Sequence, residues 1–220
     1  MKAFADIHSA AVRKHGEAGL ASRLPKVKSR RALSAMTDDR YLSAMARCIF
    51  QAGFVWKVVE NMWPGFEEAF LEFEPAALLA LKPKQADALK QDQRIIRNPQ
   101  KIKAVFDNAR FVSAVSAEHG GFGKLIAGWP DDDLPGLWNK LAKEGSRLGG
   151  LTGQRFLRNM GKDTYILSPD VTKALIGAGV IDKAPTGKQA LSACHRAFAQ
   201  WREESGRPWC ELSVIAACSV

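Results

Sequence analysis

The sequence predicts an all-α protein, and three observations carry that prediction. Apolar residues recur at three- and four-residue spacing through several long stretches. Prolines, glycines and small polar residues stand where helices would begin and end. Strand-like patterning is confined to TYIL (164–167), which is too short to build a sheet.

Taken in order, the first element is a short helix around Ala3–Lys14, followed by a loop through Pro25. Thr37 or Asp38 is placed to cap the next helix, where Leu42, Met45, Ala46, Ile49 and Phe50 share one face. That helix runs to Gly53 and breaks near Phe54–Trp56. Phe66, Ala69, Phe70 and Phe73 mark another amphipathic helix. Pro75 and Pro83 each open a short helix, because the N–H that proline lacks is unpaired at a first helical position anyway. Asn98-Pro99 opens the clearest helix, with a stripe of Ile102, Val105, Phe106, Ala109, Val112 and Val115 that Gly120-Gly121 stops. FGKLIAGW (122–129) and LPGLWNKLAKEG (134–145) follow as helices. After the turn Leu148-Gly149-Gly150-Leu151-Thr152-Gly153 comes a helix from about Gly153 to Met160. Ser168 then caps a helix that begins at Pro169. The last two helices run over about 186–204 and 208–217.

With 220 residues, 46% of them hydrophobic, the chain is expected to form one domain over 1–220, folded as two helical lobes around a central cleft. Such a chain buries about 70% of its unfolded surface and needs no staples. Cys48, Cys194, Cys210 and Cys218 form no CxxC pair, which suits free thiols in a reducing cytoplasm. The opening MKAFADIHSAAVRKHG has no long apolar run, so neither a signal peptide nor a membrane span is expected. The net charge is +9. Residues 1–36 are basic, with Arg23, Lys26, Lys28, Arg30 and Arg31 close together, and Arg94, Arg97, Lys101 and Lys103 form a second cluster. A polyanionic partner accounts for both clusters; so does a solvated surface.

The glycine-rich turn at 148–153 has the form of a helix-hairpin-helix. Gly149, Gly150 and Gly153 let the backbone approach a phosphate, and the amides that open the second helix, near Thr152, face the anion. Alone, the same residues serve equally well as a helix C-cap. Lys162, just beyond, is a second candidate phosphate contact.

Beyond the hairpin, GKDTYILSPDV (161–171) resembles the helix-hairpin-helix DNA glycosylase superfamily. DDR (38–40), QAGFVW (51–56), FEEAF and above all RIIRNPQKIKAVFDNAR (94–110) look like the corresponding blocks of DNA-3-methyladenine glycosylase I. The resemblance covers roughly residues 38–182. It implies an all-helical enzyme that excises 3-methyladenine from double-stranded DNA in base excision repair; a cytoplasmic monomer is expected. The chain also departs from the family. The Cys and His quartet that holds a structural zinc has no counterpart, so no metal and no cofactor are expected. The family's base-contacting glutamate, three residues before QAG, is Cys48 here. The superfamily's helix-start acid aligns with Ser168, and Asp170 stands two residues later.

The resemblance assigns Trp56 to the base pocket, where an aromatic face attracts a cationic purine by about 0.5–2 kcal/mol. Gln51, Cys48, Phe54 and Tyr165 are further pocket candidates. Asp170 is the catalytic candidate: a carboxylate beside the sugar balances a developing cation and assists water. Its alternative role is to complement the helix dipole. Trp56 and Asp170 are expected to line one pocket. No lysine stands where a Schiff-base nucleophile belongs, which favours a monofunctional hydrolase over a lyase. The competing readings are a non-catalytic DNA-binding relative and a helical interaction module.

Overall fold

The computed structural model describes residues 1–220, and every regular element in it is helical. No helix is long and apolar enough to cross a membrane. The chain divides into two units, one of residues 1–28, 130–136 and 161–220, the other of residues 29–129 and 137–160.

In the first unit, α1 (Phe4–Ala21) and α11 (Pro169–Gly177) both pack on α13 (Trp209–Cys218), beside α12 (Gly187–Ser205). Helix α1 outruns the expected Ala3–Lys14. Gly16 adopts φ 68°, ψ 162° and interrupts the helix, and helical backbone resumes beyond it to Ala21. Residues 164–167, the one strand-like stretch, are irregular. Tyr165 supplies their anchor: its ring is fully buried and stacks on Phe198 at 4.3 Å.

The second unit holds α2 (Arg30–Ser34), α3 (Asp38–Gln51), α4 (Trp56–Ala69), α5 (Pro75–Leu79), α6 (Pro83–Ala88), α7 (Pro99–His119), α8 (Phe122–Gly128), most of α9 (Leu134–Glu144) and α10 (Leu151–Met160). Helix α7 is its spine and packs on α3 and α5, while α10 packs on the other partner-rich helix, α3. As the sequence suggests, the Asn98 side chain caps α7 by accepting from Lys101 N at 3.1 Å, and Gly120 ends it in a left-handed turn with φ 73°. At the start of α3, Thr37 occupies the cap position without a side-chain capping bond. Asp38 reaches further: its Oδ1 accepts from Phe122 N at 2.9 Å and its Oδ2 from the Ser116 hydroxyl, fastening α3 to α7 and α8.

Phe66 and Phe70 are fully buried, but α4 stops at Ala69 and Phe73 stands in a separate turn. Leu71, Glu72 and Phe73 there all take left-handed backbone angles, φ 52°, 56° and 59°. Arg40 holds this turn by donating to the Glu72 carbonyl at 2.7 Å. The same guanidinium meets Glu67, the hub between α3 and α4, which also accepts from Ser43 Oγ at 2.7 Å and Trp63 Nε1 at 2.8 Å.

Burial works to raise the pKa of Glu67, but the bonds from Ser43, Arg40 and Trp63 outweigh it and hold the carboxyl below its ordinary 4.5. The resulting stabilisation is fully present above the unfolded value and is lost as pH falls through the folded one. Glu67→Gln is therefore expected to cost about 1–3 kcal/mol near neutral pH, in urea unfolding. The gap to wild type should shrink as pH falls below the ordinary carboxylate value of 4.5. A gap that stays constant across that range would remove Glu67 from the acid response.

Candidate functional site

The site begins with a buried ammonium. Lys101 Nζ, on the first turn of α7, donates to the carbonyls of Phe50 at 3.1 Å and Ala52 at 2.6 Å, closing the C-terminal end of α3. A cation there complements the helix dipole and satisfies orphan carbonyls. Phe54 lies against the same ammonium, 4.4 Å from ring centroid to Nζ. Burial, and behind it the positive charge of Arg147, pull Lys101 below the ordinary lysine pKa. The sequence had grouped Lys101 with Arg94, Arg97 and Lys103 as a surface cluster. Lys103 and Arg97 are exposed, but Lys101 is not, because its charge is spent inside on the chain that leads to the site.

The clamp sends residues 52–56 outward. Phe54, Val55 and Trp56 are all exposed, and half of Trp56 is open to solvent. Beneath Trp56 the α3–α4–α10 surfaces carry polar groups. The Arg155 guanidinium lies 5.1 Å from the Trp56 centroid, so this ring already holds a cation. Gln51 is buried and donates from Nε2 to Glu60 Oε1 at 2.7 Å. Cys48 is buried and accepts from Asn159 Nδ2 at 3.4 Å. Its thiol is pushed up to about 11 by burial, which Glu60 reinforces and Asn159, Arg155 and Arg47 oppose. A thiol with that value stays neutral and inert near pH 7. The structure thus brings Trp56, Gln51, Cys48 and Phe54 into one neighbourhood. Glu60 and Arg155 belong to it and were missed. Glu60 stands four residues after Trp56 on α4, the one-turn spacing that flags a shared face. Arg155 carried no such local signal. A groove of about 720 Å³ between α5, α6 and α7, lined by Leu78, Ile102 and Phe106, contains none of the predicted site residues.

The hairpin joins α9 to α10. Buried Asn108 on α7 pins it by a reciprocal pair, donating to Ser146 O at 3.0 Å and accepting from Ser146 N at 2.7 Å. Gly150 takes φ 57°. A Cβ on Gly153 would sit 2.2 Å from the Leu148 carbonyl oxygen, so no side chain fits there. Helix α10 starts at Leu151, two residues before the expected Gly153, which puts Thr152 and Gly153 in its first turn with their amides at the dipole's positive end. Gly149 is less constrained: the nearest atom to a Cβ there is Ala142 Cβ at 3.7 Å.

The remaining candidates lie in the other unit, and two of them are corrected. Lys162 is buried, with Nζ bonded to Asp131 at 2.9 Å, so it does not offer its charge to a phosphate. Tyr165 bonds His195 Nδ1 through its hydroxyl at 3.2 Å, and with its ring packed on Phe198 and Trp209 it has no face to give a base. Ser168 caps α11, accepting from Val171 N at 3.2 Å. Asp170 follows in the first turn, exposed, 3.5 Å from Lys173 Nζ. The residues do not fit the zinc that the resemblance brings with it, for His, Cys, Asp and Glu nowhere gather in groups of three or more suited to a metal.

Residues 33–143 match the model of a protein family described as methyladenine glycosylase. Among solved structures, the chain is similar to 3-methyladenine DNA glycosylase I from Staphylococcus aureus, at 19% identity and TM-score 0.51, over 69% of this chain and 91% of that one. It is also similar to the 8-oxoguanine DNA glycosylase of Methanocaldococcus jannaschii, at 15% identity and TM-score 0.57, over 96% of this chain and 89% of that one. The latter enzyme's complex with DNA containing 8-oxoguanine matches at 13% identity and TM-score 0.57, over 97% and 94% of the two chains. At these identities the structures share the fold.

The hairpin geometry separates its glycines. Gly153→Val should destabilise the protein by about 1–3 kcal/mol, because the Leu148 carbonyl must move. Duplex affinity should fall by a similar factor on any sequence, since phosphate contacts carry no sequence information. Gly149→Ala should leave both unchanged. Thermal melts and duplex titrations at two salt concentrations check this; a Gly153→Val protein that binds duplex like wild type would take the hairpin out of the interface.

Proposed function

Because the chain belongs to the methyladenine glycosylase family, we infer that it hydrolyses the N-glycosidic bond of alkylated purines such as 3-methyladenine in double-stranded DNA. It does so as a monofunctional, monomeric repair glycosylase. The observation that carries the site assignment is Trp56, half exposed at the end of a loop whose conformation Lys101 fixes. A flipped base loses its stacking in the duplex, a cost of a few kcal/mol, and recovers it on such a ring. Alkylation leaves the purine positively charged, so the glycosidic electrons pass to a ready leaving group. Breaking the bond neutralises the base, and water adds to the sugar carbon with loss of a proton. Asp170 is the carboxylate assigned to stabilise the cationic sugar and take that proton. The hairpin amides of α10 and the exposed basic residues Arg23, Lys26, Lys28, Arg30 and Arg31 are assigned to phosphates.

The exposure of Asp170 and its ion pair with Lys173 favour a second reading, a DNA-binding relative without catalysis. Mass spectrometry of bases released from methylated DNA separates the two. Wild type is expected to release 3-methyladenine. Trp56→Ala should weaken capture of the flipped base by about 1–3 kcal/mol. Asp170→Asn should bind duplex normally and excise about a hundredfold more slowly. If Asp170→Asn excises at the wild-type rate, Asp170 only complements the dipole of α11. No release from wild type establishes the second reading.

A further inference from the structure

Glu60 is the one acid among the charged groups that act on the Cys48 thiol; the other two are Arg47 and Arg155. A neutral base would meet this setting without difficulty. A cationic base stacked at Trp56 would meet the Arg155 guanidinium, 5.1 Å from the same ring. Like charges at such a distance repel, and a nearby acid offsets that repulsion. Glu60 is on α4 one turn beyond Trp56, exposed, and on the same helical face. Its Oε1 is fixed by the 2.7 Å bond from buried Gln51. Its Oε2 faces Arg47 Nη1 at 3.5 Å, longer than a close ion pair, and the Arg47 guanidinium is itself drawn over Trp63 at 4.5 Å. The carboxylate is thus oriented but not fully spent.

We propose that Glu60 is the base-recognising carboxylate of this chain, supplied by α4 beside the neutral Cys48 of α3, and that it selects positively charged bases over neutral ones. The proposal rests on the glycosylase reading for its substrate and adds the charge state of that substrate. The bond to Gln51 offers a competing role, a pin between α3 and α4. Glu60→Gln tells the roles apart, because an amide oxygen still accepts from Gln51 while the charge is gone.

The test is binding of two small probes by titration calorimetry: the 3,9-dimethyladeninium cation and neutral 9-methyladenine. Wild type should prefer the cation by at least about tenfold. Glu60→Gln should lose that preference, keep its affinity for the neutral probe and melt within a few degrees of wild type. Adding Cys48→Glu to Glu60→Gln should bring the preference back from the α3 side. A Glu60→Gln protein with the wild-type preference overturns the assignment, and so does a wild type with none. Excision from methylated DNA, run on the same preparations, keeps the two readings distinct. A wild type that prefers the cation but releases no base contradicts the enzymatic reading and leaves the Glu60 assignment standing. A wild type that excises, with a Glu60→Gln protein that still prefers the cation, overturns the assignment alone.

Discussion

One buried ammonium organises the second unit. Lys101 reaches from the first turn of α7 to the last carbonyls of α3, and its two bonds decide where the chain goes after Gln51. Placing a charge there costs desolvation, visible in the lowered pKa of the lysine. Two charge-assisted hydrogen bonds and the negative end of the α3 dipole offset that cost. The benefit is a loop whose apolar tip, Phe54 to Trp56, is held out from the surface instead of collapsing onto the core. Helix α7 also carries Asn108, which fixes the hairpin turn at Ser146, while Gln100 contacts Arg147 in the same turn. The element that aims Trp56 is therefore also the element that sets the hairpin.

That arrangement explains why RIIRNPQKI was the most specific stretch of the sequence. Asn98 caps, Pro99 starts the helix and Lys101 clamps, so three consecutive demands fall within four residues. The helix order was legible for the same kind of reason. Proline at Pro75, Pro83, Pro99 and Pro169, and left-handed glycine at Gly120, are local signals that need no partner elsewhere in the chain. What the sequence concealed was pairing at a distance. Lys101 read as surface charge because its acceptors, Phe50 and Ala52, lie about fifty positions away. Lys162 read as a phosphate contact because Asp131 precedes it by 31 residues. Tyr165 read as a pocket ring because nothing local announces Phe198 and Trp209. Glu60 was visible only as a spacing from Trp56, and its meaning depended on the two arginines that α3 and α10 bring to Cys48.

The site that results is built around charge. Trp56 already holds one cation, Arg155, and Gln51 orients one acid, Glu60. Cys48, where the resemblance implies a glutamate, is a neutral buried thiol that accepts from Asn159. A purine made cationic by alkylation differs from its neighbours in the duplex chiefly by that charge, which is the property the proposed role of Glu60 would read. Asp170 lies in the other unit, exposed in the first turn of α11 and 3.5 Å from Lys173 Nζ.

Lys101 positions the loop that ends at Trp56. That role is tested most directly by Lys101→Met, which keeps most of the length of the side chain and removes the charge, with single-turnover excision and duplex affinity measured on one preparation. Excision of 3-methyladenine is expected to fall by about tenfold or more, while duplex affinity stays within about threefold of wild type. Excision at the wild-type rate in a folded Lys101→Met protein would contradict it.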